Sequence, residues 1–186
     1  MKVTSLSIPD VLLIEPHVFE DSRGFFFESF REDIFKKETS LNVSFVQDNH
    51  SKSSQGVLRG LHYQLPPHAQ GKLMRVIQGE VLDIAVDIRE SSATFGQYIA
   101  EILSNDNKKQ LYIPEGFAHG FLTLSDTSEY LYKTTDFFHP QSERCIIWND
   151  ATLNIAWPRD LNIQLSPKDL LGQSFKSSEL FLVNNR

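Results

Sequence analysis

The feature that most constrains the fold is a succession of short apolar or alternating runs, cut apart by turn residues. Such runs cover 11–19, 25–30, 43–49, 57–64, 73–78, 81–88, 98–103, 110–113, 120–124 and 130–135. Gly24, Gly56, Gly71, Gly79, Gly96 and the stretches 105–107 and 114–116 separate several of them. Short strands at this spacing, with turn chemistry between them, imply an all-β sandwich or barrel. Two segments read as helix. The stretch 29–38 carries helix formers around Ile34 and Phe35. The run SPKDLLG over 166–172 has Ser166 as N-cap, Pro167 in the first turn, Asp169 three residues on and Gly172 as a stop. No repeat or linker interrupts the 186 residues, so a single domain over 1–186 is expected. The tail after Gly172 reads as an appended surface segment.

Charge and cysteine usage narrow the class. A formal net charge of −6 argues against non-specific binding to nucleic acid or a membrane surface. It leaves room for a small anionic ligand held by a local cluster of Arg and Lys. Cys145 is the only cysteine, so no intrachain disulfide forms, which fits a reducing compartment. Within the run CIIW it reads as a small buried hydrophobe. The first residues hold only the short apolar stretch 11–14, with no cleavage pattern after it. A cytoplasmic protein is therefore expected.

The chemistry-bearing residues gather in a few runs. In GVLRGLHYQ (56–64), an ideal strand places Gly60, His62 and Gln64 on one face, with Leu61 and Tyr63 on the other. Arg59 would then face away from His62, unless a bulge at Gly60 re-aims one of them. In VLDIAVDI (81–88), Leu82, Ile84, Val86 and Ile88 share one face, and Asp83, Ala85 and Asp87 the other. The acidic face fits either solvent or the pocket side of a barrel strand. Lys72 alone reads as a surface lysine at a strand start. Tyr130 and Tyr132 share a face, as a packing pair or with one phenol as a proton donor. Asp169 suits the third position of a capped helix and also the orienting of a histidine. A barrel metal site would need His-x-His, but the second position here is Gln64, and His68 lies in a turn. Neither metal nor cofactor is expected.

Several longer motifs occur in order: DSRGFFFESF (21–30), FVQDNHS (45–51), LRGLHYQ (58–64), KLMRVIQGEVLDIAVDIR (72–89), YIPEGFAHGF (112–121), YLYKTTDFF (130–138) and LSPKDL (165–170). With them the chain resembles the cupins and, within these, the dTDP-4-dehydrorhamnose 3,5-epimerases. The resemblance implies a jelly-roll β-barrel and a homodimer that shares N-terminal segments across its interface. It implies inversion of C3 and C5 in dTDP-4-dehydro-6-deoxy-D-glucose, a 4-keto sugar, on the route to dTDP-L-rhamnose. His62 would be the general base and Tyr132 the opposing acid. Asp169 would pair with His62, Lys72 would meet the ketone oxygen, and Asp83 would support that polar cluster. Arg59 and His119 would bind near the pyrophosphate and sugar. Arg23, Glu28, Gln47, Asp48 and Asn49 would contact the nucleotide. Glu143 and Lys168 would complete the shell, with Phe19, Phe26 and Phe138 as aromatic walls.

Overall fold

The alternating runs form the strands of two facing sheets in the computed structural model of the chain, which describes residues 1–181. Residues 182–186, which the single-domain expectation includes, lie outside the described residues. In chain order the strands are β1 (Lys2–Ser5), β2 (Leu12–Glu15), β3 (Phe19–Asp21), β4 (Gly24–Phe26), β5 (Gln47–Ser54), β6 (Leu58–Gln64), β7 (Lys72–Gln78), β8 (Glu80–Asp87), β9 (Tyr98–Ser104), β10 (Gln110–Ile113), β11 (Phe117–Thr123), β12 (Thr127–Thr134) and β13 (Glu143–Cys145). One sheet runs β1-β2-β10-β7-β12-β5 and the other β13-β6-β11-β8-β9, while β3 and β4 form a separate ribbon. All these pairings are antiparallel. The architecture is the expected cupin jelly roll.

Three apolar layers hold it together. Between the sheets, Met74, Val76, Leu111, Ile113 and Tyr130 meet Val81, Ala85, Phe117 and Phe121. On the outer face of the five-stranded sheet, Leu58, Leu61, Ile84, Val86, Ala118 and Leu122 are covered by the C-terminal Ile146, Leu153, Trp157 and Phe175. Helix α1 (Glu32–Thr39) lays Phe35 over Leu12, Ile14, Leu73 and Tyr112 on the outer face of the other sheet. The five-stranded sheet is thus buried on both faces. That settles β8: its apolar face packs under the C-terminal layer, and Asp83, fully buried, points between the sheets.

Several boundaries differ from the sequence expectation, each for a physical reason. Val43 and Phe45 pack beside Phe35 as irregular chain, and the strand begins only at Gln47. Its sequence QDNHSKSS carries no apolar signal because its inward face lines a wet cleft. The stretch 25–30 is strand only as far as Phe26. The edge strands β1 and β13 are short, and too polar to show an alternating pattern. The tail is more than a surface appendage. Ile146 bridges Gln173, Arg89 bridges Phe181, and Phe175 is buried.

The expected irregularity at Gly60 is present. His119 pairs with His62 and Phe121 with Arg59, so three steps on β6 oppose two on β11. Leu58 and Leu61, three residues apart, consequently both face the outer layer. Gly60 has φ +122°, and an added Cβ would sit 2.6 Å from the Gly120 Cα and the His119 carbonyl oxygen. Both the backbone conformation and the space demand glycine. Gly60→Ala is expected to lower unfolding free energy by about 2 kcal/mol or more in denaturant titration. A loss under about 0.5 kcal/mol would contradict this tight approach.

Candidate active site

Between the sheets opens a cleft of about 450 Å³. The six-stranded sheet contributes Gln47, Asn49 and Ser51 from β5, Lys72 from β7, and Tyr130, Tyr132 and Thr134 from β12. The five-stranded sheet contributes Arg59, His62 and Gln64 from β6, His119 and Phe121 from β11, and Glu143 from β13. The short helix α2 (Pro167–Leu170), with its cap Ser166, adds Lys168 and Asp169. His62 and Tyr132 therefore enter one cavity from opposite sheets.

The bulge at Gly60 gives β6 its chemistry, because it puts Arg59 and His62 on the same face. Arg59 donates from Nε to Ser53 Oγ at 3.1 Å and from Nη2 to the Lys52 carbonyl at 3.3 Å. It has no carboxylate partner among the described residues, so its charge is open to an anion. His62 Nε2 lies 2.6 Å from Asp169 Oδ1, but the ring does not aim its N–H squarely at that oxygen. Asp169 also accepts from the Ser166 hydroxyl at 2.6 Å and from the Gly60 amide at 3.3 Å. Burial alone would raise the Asp169 pKa, but the His62 and Ser166 contacts prevail and hold it down to about 2. Ser166 in turn caps α2 by accepting from the Asp169 amide. The helix cap and the carboxylate beside His62 are thus one local structure.

A second histidine–carboxylate pair lies deeper. His119 Nε2 is 3.0 Å from Asp83 Oδ1, and Tyr130 donates a short hydrogen bond to Asp83 Oδ2. Burial lowers the His119 pKa against the opposing pull of Asp83, and it pushes the Tyr130 phenol well up. Lys72 is buried beside this group and donates to the His62 carbonyl at 3.3 Å. Burial depresses its pKa to about 8, with Asp83 and Glu143 opposing. A buried lysine facing a cleft differs sharply from a surface lysine at a strand start. Across the cleft, burial raises the Tyr132 pKa, while the Arg59 charge pulls it back.

The other expected residues divide. Gln47, Asn49, Phe138, Glu143 and Lys168 line the cleft, with Lys168 and Glu143 joined as an ion pair. Asp48 faces outward on β5 and pairs with Lys133 at 2.8 Å. Phe19, Arg23 and Phe26 sit on the β3–β4 ribbon over a separate hollow, with Arg23 bound to Asp21 at 2.6 Å. Glu28 is 3.6 Å from Arg31 and also lies outside the cleft lining. Phe19 and Phe26 are 58% and 65% exposed, unusual for aromatic side chains without a covering surface. Ser51, Gln64, Gln70, Tyr130 and Thr134 also line the cleft, although sequence reasoning gives none of them a role there. Tyr130 is legible as the same-face partner of Tyr132. The polar residues of β5 give no signal beyond their alternation.

Three comparisons bear on this geometry. The family model described as dTDP-4-dehydrorhamnose 3,5-epimerase matches residues 5–177. A dTDP-4-dehydrorhamnose 3,5-epimerase of Pseudomonas aeruginosa is 57% identical, over 97% of this chain and 99% of the relative. One from Shigella flexneri is 56% identical, over 98% of this chain and the whole of the relative. The crystal structure of a dTDP-6-deoxy-D-glucose-3,5-epimerase from Legionella pneumophila, in complex with dTDP-4-keto-L-rhamnose, superposes with a TM-score of 0.94 at 45% identity, covering 98% of each chain.

The buried ammonium makes a stability prediction. With its pKa lowered from 10.5 to about 8, Lys72 costs the folded state on the order of 3 kcal/mol below about pH 8. That cost fades as the pH rises toward 10.5, where the unfolded lysine also loses its proton. Lys72→Met is therefore expected to unfold at a higher denaturant concentration than wild type at pH 7, with the advantage shrinking in alkali. Equal stability at pH 7 would mean that the ammonium is fully solvated.

Proposed function

This chain belongs to the dTDP-4-dehydrorhamnose 3,5-epimerase family and is an isomerase, and from that premise we propose how its cleft inverts C3 and C5 of dTDP-4-dehydro-6-deoxy-D-glucose. The observation that carries the reading is the entry of His62 and Tyr132 into one cavity from opposite sheets. Protons on C3 and C5 lie α to the C4 ketone, so the substrate's own carbonyl makes them acidic. His62 removes them. With Nε2 turned to Asp169, the other ring nitrogen, Nδ1, is the basic atom offered to the sugar. The Asp169 carboxylate, held ionised by its low pKa, stabilises the imidazolium that results.

The electron pair moves onto O4, and the enolate oxygen is met by the Lys72 ammonium. With a pKa of about 8, Lys72 is still mostly protonated at pH 7, and it sits where water does not dilute its charge. Donors of this kind typically lower a barrier by about 2.7–4 kcal/mol. Asp83, hydrogen-bonded by Tyr130 and His119, supplies the counter-charge that keeps Lys72 protonated. Inversion follows when Tyr132 returns a proton from the opposite face. Arg59 gathers the diphosphate as a planar, carboxylate-free cation, and Lys168 stands at the same mouth. Turnover in D2O should place deuterium at both C3 and C5, read by NMR. Label at one carbon alone would reduce the reaction to a single epimerisation. His62→Asn should lose roughly 10²–10⁴ in kcat and with it deuterium wash-in. Tyr132→Phe should keep wash-in but lose inversion, and wash-in abolished by both changes alike would refute the division of roles.

The ribbon points to a second copy of the chain. Phe19, Arg23, Phe26 and Glu28 are outside the cleft of their own chain, and two of the phenylalanines are uncovered. In a homodimer they would close the nucleotide end of the partner's cleft, with Gln47 and Asn49 contributed in cis. Mixing inactive His62→Asn with a ribbon variant, Arg23→Ala plus Phe26→Ala, is then expected to restore activity that neither has alone. No recovery in mixed dimers refolded together would rule out the shared site. We read the chain as one cupin domain, since the tail packs onto the same barrel. Its one free thiol, Cys145, supports a cytoplasmic location. Among the described residues no helix is long and apolar enough to cross a membrane.

A further inference from the structure

We propose that His62, Cys145 and Asp169 form a site for a thiophilic divalent cation, Zn²⁺ fitting best, whose occupancy silences the enzyme. The inhibitory half of this proposal rests on His62 as the base; the binding half rests on geometry alone. One ligand atom from each of the three residues lies within 4.8 Å of the others. Three separate elements converge to make the cluster. His62 is on β6, Cys145 is its direct cross-strand partner on β13, and Asp169 comes from α2.

Cys145 is not the small buried hydrophobe that its sequence context suggests. It is half-buried and belongs to none of the three apolar clusters. Its thiol makes only a long contact, 3.6 Å, to the Ile146 carbonyl. His62 Nε2 is likewise buried without a well-aimed hydrogen bond. A soft sulfur, a borderline imidazole and a hard carboxylate on one face are a ligand set that Zn²⁺ accepts. Tetrahedral zinc spaces such ligands roughly 3.3–3.8 Å apart. The 2.6 Å contact between His62 and Asp169 would therefore open slightly, and Cys145 would close in by side-chain rotation. Asp169 would keep its bonds from Ser166 and Gly60. The neighbouring Lys168 is paired with Glu143, so its charge is offset at the point where a cation would arrive. A water would complete the set as the fourth ligand. This set shares only His62 with the His-x-His pattern that Gln64 breaks.

The Cys145 S–H bond breaks, an S–Zn bond forms and that proton leaves to solvent, while the Nε2 proton of His62 passes through solvent to Nδ1 and frees the Nε2 lone pair for the metal; no oxidation state changes. With the metal in place, the ring is fixed, Asp169 no longer serves it, and proton abstraction stops.

The test uses chelator-treated full-length protein. Co²⁺ added to wild type is expected to give a thiolate-to-cobalt charge-transfer band that is absent from Cys145→Ser and Cys145→Ala. Zn²⁺ should inhibit wild-type turnover reversibly, with chelator restoring it. The half-inhibitory concentration should rise at least tenfold in Cys145→Ser, whose metal-free activity stays at the wild-type level. Mg²⁺ should have no effect. No charge-transfer band in wild type, or equal Zn²⁺ sensitivity in Cys145→Ser, would overturn the site. Full activity in His62→Asn would overturn the catalytic reading alone, since the cobalt band is read without turnover.

Discussion

The site depends on the contact between Gly60 and Gly120. Where β6 crosses β11, the two backbones approach so closely that a Cβ on Gly120 would lie 2.7 Å from the Arg59 carbonyl. This approach accommodates one extra residue on β6, and that residue reverses the side-chain alternation. Without it, Arg59 and His62 would lie on opposite faces of the sheet. One would serve the cleft and the other would be lost in the outer layer. The same bulge turns the Gly60 amide toward Asp169, so the carboxylate beside His62 is itself held by the irregularity that presents the ring. A local fault in the ladder thus fixes Arg59, the proposed base His62 and its neighbouring carboxylate together.

Electrostatics complete what the bulge begins. The chain carries a net charge of −6, yet Arg59, Lys72 and Lys168 all reach one cleft. Each is managed differently. Arg59 is held by neutral oxygens and keeps its charge available. Lys168 is tied to Glu143 at the rim. Lys72 is buried with Asp83 nearby, although burial wins and its proton is loosened. Stability alone would not place an ammonium there, because an apolar side chain of similar length would be the more stable choice. Its position becomes intelligible with the proposed enolate oxygen, which an ammonium at this depth would meet. The space between the two sheets suits this arrangement, since it buries Lys72 at its depth and is open enough at its mouth to admit a sugar.

How far these features can be read from sequence follows the same physics. Strands buried on one or both faces, such as 110–113 and 81–88, announce themselves through apolar content. The bulge is legible too, because a glycine between a cation and a histidine gives the strand a point where an extra residue fits without a side-chain clash. The segment 47–54 reads only as the end of a run that starts at Val43, since a strand whose inner face lines water has polar residues on both sides. Lys72 is the harder case. Nothing in a lone lysine after a glycine reveals whether it will be buried; only its antiparallel alignment with Thr134 and Ile113 turns it inward. The ribbon residues Phe19, Arg23 and Phe26 stand out through family motifs alone, and their own chain gives them no cleft to enter.

The C-terminal layer is where fold and chemistry become inseparable. Residues 146–175 cover the outside of the five-stranded sheet, a structural task that many sequences could perform. Yet this segment also delivers Ser166, Lys168 and Asp169 around the sheet edge into the cleft. The delivery is accurate because the segment is pinned on both sides of α2. Gln164 pairs with Val57 before it and Gln173 with Ile146 after it, and Gly172 rests so tightly on Ile147 that a Cβ would lie 2.8 Å from that residue's backbone nitrogen. A four-residue helix has little stability of its own. Held at both ends it becomes a rigid mount, and Asp169 inherits that rigidity. The carboxylate beside the proposed base is therefore placed by a segment that must first pack against the barrel, so an intact outer layer is a condition for the His62–Asp169 contact.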